Sequence, residues 1–575
     1  MFRRLYRSMG RFKKFVFITI FFVLAELVLD LILPVLMQNI IDNGINNHDV
    51  DYVVKLGIQM IIIALLSMAV GSASGYTSAV ASSGLMKEIR VAEFNKIQEF
   101  SFSNIDKFST ASLLTRLTRD IFEVRMAFQM MIRMLVRAPI MLIMTTILAV
   151  QINAQLAIVF LCAIPLLGGS LYLVFKNAHP LFIVMMKKMD QLNADIQENL
   201  IGIRVVKTFV RDEYEIEKFE RSAGDVRDTQ AKAEKIIAFN GAAFELVMYA
   251  CMIAIAWFGG RMIVFGTMTT GEFMRYMSYI SQILVSLMMI SQATVQMVVS
   301  QTSGERIFEV LDEEIDIKDD GARLDAVVET GKIEFDNVNF SYSKNPDNLT
   351  LEEINLSIAP GEMVGIIGST GAGKSSLVQL IPRLYDILDG SVRVSDIDVR
   401  EYSKEHLRDS VGMVLQKNVL FTGTIMENLR WGDEHATDEE VYAACKVASA
   451  HDFIMAFPEG YNTFLGQGGV NLSGGQRQRV CIARALLKKP KIMILDDSTS
   501  AVDTATDANI RKALRTELKG MTTIIIAQRI SSISDADKIV VMDDGRIMAV
   551  GTHDELMVSN NIYRELHDSQ QRGVA

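Results

Sequence analysis

The sequence predicts an all-α membrane domain of six spans followed by a soluble α/β domain. Half of the 575 residues are hydrophobic, the mean hydropathy is +0.24, and the long charge-free stretches lie in the first half of the chain. From residue 311 the chain becomes acidic, and a soluble α/β pattern follows. We therefore expect a membrane domain over residues 1–310, an acidic linker over 311–330 and a soluble domain over 331–575.

The six expected spans follow from the distribution of charged side chains. Residues 138–175 contain no charged residue, and the polar segment at Asn153 divides them into two spans of about 19 residues. That length is close to what a helix needs to cross a bilayer. The other four spans lie at residues 15–41, 56–86, 236–263 and 276–304.

Basic residues give the expected orientation. Six Lys or Arg residues precede the first span, none lies in the connection at 42–51, and the polar stretches at 87–133 and 176–235 are rich in both. Because cytoplasmic loops carry the excess of positive charge, we expect both termini and both long loops in the cytoplasm.

Charge and cysteine content argue against two classes of protein. The net charge of −10 gives no electrostatic support for a nucleic-acid partner. The four cysteines show no metal-ligand spacing and are typical of reduced or lipid-buried thiols rather than of a disulfide framework. They are Cys162, Cys251, Cys445 and Cys481.

An apolar run followed by GSTGAGKS, residues 368–375, predicts a phosphate-binding loop between a strand and a helix. Gly368, Gly371 and Gly373 would let backbone N–H groups turn towards phosphate oxygens. Lys374 would reach the β- and γ-phosphates, and Ser375 would ligate Mg²⁺. The other expected members of the binding segment are Ser369, Thr370, Ala372 and Ser376.

Two adjacent carboxylates follow the apolar run at 492–495, at the end of an expected buried strand. One carboxylate in such a place usually holds a metal ion, and its neighbour often activates a water molecule. The sequence therefore predicts that Asp496 and Asp497 share these two roles.

The segment LSGGQRQRVCIARALLKKP, residues 472–490, and the strand after it resemble the signature motif and Walker B strand of ABC ATPases. The resemblance implies that Tyr342 stacks on adenine and that Gln416 reaches Mg²⁺ and the attacking water. Residues 500–503, beginning at Ser500, match the family's D-loop. The resemblance also implies ATP and Mg²⁺ as cofactors, with Asp496 as a Mg²⁺ ligand and Asp497 at the position of the catalytic base. The implied signature residues at the nucleotide are Ser473, Gly474, Gly475 and Gln476.

The membrane half resembles exporter-type ABC half-transporters. Residues 103–120 and 198–219 are similar to the family's two cytoplasmic loops, each with a short coupling helix that docks on an ATPase domain. The resemblance implies a six-helix transmembrane domain followed by an α/β P-loop ABC ATPase domain. It also implies a bacterial inner-membrane location, contact with the lipid bilayer and ATP-driven efflux of drug-like or amphipathic small molecules.

Three positions depart from the family pattern. Asp497 stands where the family has glutamate, Gln528 stands where it has a histidine at the γ-phosphate, and Gln467 replaces an acidic residue before the signature. A shorter carboxylate draws the base away from the water, and glutamine cannot carry a positive charge. We expect a degenerate ATP site here and a partner half-transporter with the consensus glutamate and histidine, whose site this chain's LSGGQ completes.

Other interpretations stay open at this point. Asp497 could still work slowly, with Gln528 a neutral change. The chain could also transport a lipid, a peptide or a chelate, or act as an ATP-gated regulatory or channel-like protein of the same fold.

Glu26 and Asp30 lie four residues apart in the first span and therefore share a helix face. Intramembrane carboxylates favour a polar substrate path, and hydrogen bonding between helices is the alternative. Methionines of the sixth span would suit a deformable cavity, although such residues are more often ordinary packing. They are Met274, Met277, Met288, Met289 and Met297.

Overall fold

The computed structural model describes residues 4–5, 9–323, 325–497, 502–518 and 520–572. The chain divides into two compact units. The first unit consists of Met1–Gln98 and Thr110–Asp312, and the second consists of Glu99–Ser109 and Glu313–Ala575. Each unit is therefore built from two separate stretches of the sequence.

Long α-helices dominate the chain up to Asp312. They are α1 (Lys13–Asn39), α2 (Val50–Gln98), α3 (Phe102–Phe108), α4 (Thr110–Thr115), α5 (Ile121–Ile152), α6 (Ala154–Ile201), α7 (Ile203–Thr208), α8 (Asp212–Val264) and α9 (Thr270–Asp312). Among the described residues, α1, α2, α5, α8 and α9 are long and apolar enough to cross a membrane. The start of α6 adds a shorter apolar stretch, Ala154–Gly169. The predicted helical membrane domain is confirmed.

The charge-free run 138–175 is broken where the polar segment predicts it. Asn153 leaves helical geometry with φ −155° and ψ 107°, and its side chain accepts hydrogen bonds from the N–H groups of Gln155 and Leu156, each at 3.0 Å. An asparagine in this position satisfies N–H groups that the first helical turn leaves unpaired. One uncharged run therefore forms two helices, α5 and α6.

Small and hydroxylated residues bring the first two helices together. Thr19 of α1 donates a hydrogen bond to Thr77 of α2 over 3.0 Å, and both side chains are buried. A Cβ atom at Gly84 would lie 2.3 Å from the ring of Phe12, so a larger residue would push the two segments apart. Close approach at small residues is how membrane helices gain packing energy.

The second unit is an α/β domain with three sheets. Its strands are β1 (Ile333–Phe340), β2 (Leu351–Ile358), β3 (Met363–Gly368), β4 (Asp389–Val394), β5 (Ile397–Asp398), β6 (Val411–Val414), β7 (Gly423–Thr424), β8 (Phe464–Leu465), β9 (Ile492–Asp496), β10 (Thr522–Ile526), β11 (Lys538–Asp543) and β12 (Arg546–Gly551). The sheet orders are β2-β1-β4-β5, β12-β11-β3-β10-β9-β6 and β7-β8.

Helices cover these sheets. They are α10 (Lys374–Gln379), α11 (Lys404–Asp409), α12 (Ile425–Leu429), α13 (Asp438–Val447), α14 (His451–Met455), α15 (Gly474–Leu487), α16 (Thr504–Glu517), α17 (His553–Ser559) and α18 (Asn561–Arg572).

The six-stranded sheet places the candidate site. Strands β3, β9 and β10 run parallel, and β9 and β10 are buried along their whole length, as expected for strands covered on both faces. The carboxyl ends of parallel strands share one edge of a sheet, and ligands of open α/β sheets bind there. That edge carries the residues that follow β3, β9 and β10.

Helix α3 belongs to the second unit although it lies between membrane helices in sequence. Ser101 and Asn104 form a reciprocal capping box at its N-terminus. Asn104 Nδ2 donates to the Glu314 carbonyl over 3.0 Å, and Lys107 pairs with Glu313 over 2.7 Å. The segment after α9 therefore holds α3 in place through side chains.

Candidate nucleotide-binding site

The loop between β3 and α10 has the backbone of a phosphate cradle. Gly371 and Gly373 have φ values of +90° and +85°, in the region that favours glycine. A Cβ atom at Gly368 would lie 2.0 Å from the Met542 carbonyl oxygen. The glycines are therefore required by the path of the chain, and the loop ends where α10 begins at Lys374.

Lys374 folds back over this loop. Its Nζ donates to the carbonyl oxygens of Gly368 and Ser369 at 2.9 and 2.6 Å. Burial lowers the pKa of Lys374, while the nearby carboxylates of Asp497 and Asp496 oppose that shift. The lysine charge lies in the loop that the motif predicts to hold phosphates.

The remaining loop residues support this arrangement. Ser369 Oγ donates to Asp543 over 2.8 Å, whereas Thr370 is exposed and Ala372 is buried. Ser376 Oγ shares a 2.9 Å hydrogen bond with the Tyr342 hydroxyl. The loop is thus tied both to β11 and to the residue expected at adenine.

Ser375 and Asp496 form a pair of oxygen donors. Ser375 Oγ donates to Asp496 Oδ1 over 2.9 Å, and Asp496 is only 3% exposed at the end of β9. Burial raises the pKa of Asp496, with a smaller contribution from Asp497, and the Ser375 hydrogen bond opposes the shift. Hydroxyl and carboxylate oxygens are hard donors of the kind that Mg²⁺ prefers, so this pair fits a magnesium site.

Asp497 lies between two glutamine amides. Its Oδ2 accepts from Gln528 Nε2 at 2.7 Å and from Gln416 Nε2 at 3.5 Å. Burial raises the pKa of Asp497, and the two amides oppose that shift. The backbone at Asp497 has φ +47°, a left-handed conformation that aspartate tolerates better than most residues. The structure thus brings together three residues that are far apart in sequence.

Tyr342 presents an aromatic ring beside this edge of the sheet. The ring is 47% exposed and packs edge-on against Phe340 and Tyr385, with centroid distances of 4.8 and 5.0 Å. Sequence reasoning missed Tyr385, which lies shortly after α10 with no spacing rule to mark it.

The signature segment begins a helix at the surface. Ser473 is the N-cap of α15, its N–H donates to Gln476 Oε1 over 2.9 Å, and its Oγ accepts from the Gln476 N–H over 3.3 Å. Ser473 and Gly474 are exposed, and Gly475 is half-buried. A helix N-terminus with exposed N–H groups suits an anion. Ser500 of the expected D-loop lies outside the described residues.

In the membrane unit, Glu26 and Asp30 are joined by a residue that sequence reasoning missed. Arg137 of α5 donates to Glu26 Oε1 at 2.5 Å and to Asp30 Oδ2 at 2.6 Å, and Ser67 donates to Asp30 Oδ1 at 2.9 Å. Arg137 is the last charged residue before the charge-free run, but nothing in the local sequence marks it as the partner of Glu26 and Asp30. Whether Glu26 and Asp30 belong to a substrate path or join helices, their carboxylates are paired with the Arg137 guanidinium.

A cavity of about 490 Å³ lies beside this cluster, between α1, α2, α5 and α9. Asp30 and Arg137 are on its wall, whereas Glu26 is not among the lining residues. Five methionines line it: Met37, Met60, Met141, Met274 and Met289. Two of these, Met274 and Met289, are among the five singled out in the sequence.

Comparisons with known proteins agree with this geometry. Residues 16–287 match the family model for the ABC transporter transmembrane region, and residues 351–500 match the model for ABC transporter. An uncharacterized ABC transporter ATP-binding protein of Bacillus subtilis (strain 168), YfiB, is 37% identical over 91% of this chain and 90% of its own length.

Two further relatives have names that state a cargo. A candidate multidrug export ATP-binding/permease protein of Bacillus subtilis (strain 168), YgaD, is 34% identical over 85% of this chain and 84% of its own. An ATP-dependent lipid A-core flippase of Desulfotalea psychrophila (strain LSv54 / DSM 12343) is 32% identical over 84% of each chain. Among solved structures, a bacterial Atm1-family ABC exporter with ATP bound superposes with a TM-score of 0.83 and 26% identity, covering 98% of this chain and 99% of that one.

Proposed function

Because this chain belongs to the ABC transporters and has the architecture of an exporter half-transporter, we propose that it is the slow-site subunit of a heterodimeric exporter. Its ATPase domain is that of an ATP-driven exporter. The proposed cargo is a drug-like or amphipathic small molecule. The proposed location is a bacterial inner membrane, with both termini in the cytoplasm.

The contact between Gln528 and Asp497 carries the proposal. A general base must lie within about 2.6–3.2 Å of the proton that it removes, and it needs a lone pair directed at that proton. In this structure Asp497 directs the same oxygen, Oδ2, to the Gln528 and Gln416 amides. Aspartate is also one methylene shorter than the family's glutamate. Both features favour retention of ATP at this site over its rapid hydrolysis.

The rest of the site supports nucleotide binding. Lys374 and the glycine loop would hold the phosphates, and Tyr342 would stack on adenine. Ser375, Asp496 and Gln416 would hold Mg²⁺, which supplies charge neutralisation at the phosphates when bound. Two of the three departures, Asp497 and Gln528, therefore lie at the groups that would act on water and on the γ-phosphate, and the third, Gln467, precedes the signature segment.

A partner half-transporter accounts for two exposed surfaces. Ser473 and Gly474 are open at the start of α15 and would complete the partner's nucleotide site. Apolar side chains around α7 are exposed as well: Leu200 by 65%, Ile201 by 78%, Phe209 by 71% and Val210 by 80%. Exposed apolar clusters of this kind mark interaction surfaces. The proposed partner carries the consensus glutamate and histidine.

The methionine-lined cavity supports an amphipathic cargo. Thioether side chains are flexible and polarizable, so they adapt to ligands of different shape. A volume of about 490 Å³ is in the range of small-molecule sites. Asp30 on the cavity wall is the proposed polar contact, with Glu26 behind it on the same ion-pair cluster. A lipid cargo is the second candidate, because a relative of similar identity is named a lipid A-core flippase.

The two sites of the assembled complex can be separated by mutation. Ser473→Ala should reduce ATPase activity and transport by about 10-fold or more, because the signature would act on the partner's fast site. Lys374→Ala should leave substantial ATPase activity, because it disables only the slow site. Steady-state ATPase and vesicle transport by the purified two-chain complex measure both effects.

Ser403→Ala is the matched control for the signature variant. Ser403 caps α11 by accepting from the His406 N–H, as Ser473 caps α15, but it lies outside the nucleotide site. Loss of the Ser403 hydroxyl should leave the ATPase turnover of the complex nearly unchanged. The assignment of sites would be reversed if Lys374→Ala abolished turnover and Ser473→Ala were harmless. Equal loss in both variants would show two equivalent sites and would also contradict the proposal.

A further inference from the structure

Helix α3 and the ring expected at adenine are connected within the second unit. Tyr385 lies between them. Its ring is 5.0 Å from the Tyr342 ring at an interplanar angle of 90°, and its hydroxyl donates to Asp106 Oδ2 of α3 over 2.7 Å. The Phe102 ring of α3 lies 6.0 Å from the Tyr385 ring. One side chain thus contacts both the adenine position and α3.

A second connection joins the same two segments. Lys344, two residues after Tyr342, pairs with Asp316 over 2.9 Å, and Asp316 accepts from Ser103 of α3. Burial raises the pKa of Asp316, but its hydrogen bonds with Ser103 and Lys344 outweigh this and lower it overall, so the carboxylate stays charged. Two chemically different contacts therefore run from the segment at 342–344 to one short helix.

The chemistry of Tyr385 makes its hydroxyl a directional contact. Burial raises the pKa of Tyr385, and the hydrogen bond to Asp106 adds to the shift, so the phenol remains a protonated donor. A hydrogen bond to a charged acceptor is shorter and stronger than one between neutral groups. The edge-on ring contact with Tyr342 depends on the position of both rings. A shift of Tyr342 on stacking would therefore be felt at the Asp106 contact.

We propose that Tyr385 is a positioning residue through which adenine stacking on Tyr342 strengthens the docking of α3. The Tyr342 hydroxyl also shares a hydrogen bond with Ser376 of α10, directly after the phosphate loop, so the position of Tyr342 depends on that segment as well. Nucleotide binding and α3 docking are then linked equilibria, and each favours the other by the same factor. Such couplings are typically about 5- to 150-fold.

Hydrogen–deuterium exchange of the assembled complex tests this directly. The probe is AMP-PNP with Mg²⁺, and the readout is exchange in a peptide that covers residues 101–109. In the unmodified protein the nucleotide should slow this exchange by about fivefold or more. Tyr385→Phe should remove most of that slowing, and nucleotide affinity, measured by direct binding, should fall by no more than the same factor, because the coupling is reciprocal.

Two variants serve as controls. Asp106→Asn keeps an oxygen acceptor for the Tyr385 hydroxyl but removes its charge, so it should weaken the nucleotide effect less than Tyr385→Phe does. Tyr563→Phe removes a hydroxyl that shares a 2.7 Å hydrogen bond with His553 of the same unit, and it should leave the effect unchanged. A nucleotide effect on α3 that persists in full in Tyr385→Phe, or that is absent from the unmodified complex, would overturn the proposal. So would a fall in the nucleotide affinity of Tyr385→Phe that exceeds the factor by which the nucleotide slows exchange in the unmodified protein, because Tyr385 would then support the site itself.

Discussion

At the scale of single residues, the altered pair Asp497 and Gln528 acts as one unit. The 2.7 Å hydrogen bond between them means that changing either residue alone disturbs a contact of the other. Asp497→Glu alone would also place a longer side chain on a left-handed backbone, which glutamate tolerates less well than aspartate. Each single change should therefore raise hydrolysis at this site only modestly.

The double change Asp497→Glu with Gln528→His should exceed the sum of the single effects on the activation free energy. Both groups would act on one transition state, and neighbouring groups are rarely additive. Turnover at this site alone is measured in a complex whose partner site has been inactivated. Strict additivity of the two single effects would show that the residues act independently.

The burial of Glu93 leads to a separate prediction about thermal stability. It is fully buried on α2, beyond the charge-free segment 56–86, and neither carboxylate oxygen has a hydrogen-bond partner among the residues that the structure describes. A buried polar group without such a bond costs about 1–3 kcal/mol. Glu93→Leu should therefore raise the midpoint of thermal unfolding of the detergent-purified complex by a few degrees.

Glu99→Leu is the control for that substitution, because Glu99 is exposed and six residues further along the chain. Its unfolding midpoint should stay close to that of the unmodified protein. A lower midpoint in Glu93→Leu would show that the buried charge is compensated by its surroundings.

At the scale of elements, Arg137 joins α1 and α5 through two carboxylates, and Ser67 joins α2 to the same cluster. The side chains of Arg137 and Asp30 remain partly accessible, at 25% and 23%, while that of Glu26 is only 11% exposed. The cluster is thus both a connection between helices and part of a cavity wall. A substitution series can separate these two roles.

Asp30→Asn should weaken export of cationic dyes more than export of neutral dyes of similar size, because it removes a negative charge from the cavity wall. Glu26→Gln removes the same charge from the same ion-pair cluster, but away from the wall, and should affect both dyes alike. Transport into inverted vesicles measures all four rates. Equal losses for both dyes in Asp30→Asn would assign Asp30 to helix packing alone.

At the scale of the whole molecule, local patterns in the sequence predicted the fold. They did not predict contacts between residues that are far apart in the sequence. The charge-free runs predicted the membrane helices and the break at Asn153, since hydrophobic length and capping are local properties. The glycine loop and the double aspartate predicted residues that the structure collects at one edge of a sheet. Arg137 and Tyr385 were missed because their partners lie 107 and 279 residues away. No local period or spacing records such a pairing.

The origin of α3 limits how this protein can be divided or recombined. Its sequence lies among the membrane helices, but Glu313, Glu314 and Tyr385 hold it within the second unit. An ATPase fragment that starts at residue 331 would lack both α3 and the acidic segment that holds it. A chimera that joins this membrane half to a foreign ATPase half would contain α3 but would lack the residues that hold it, such as Glu314 and Tyr385. To exchange the whole second unit, residues 99–109 must therefore be replaced together with the chain after Asp312.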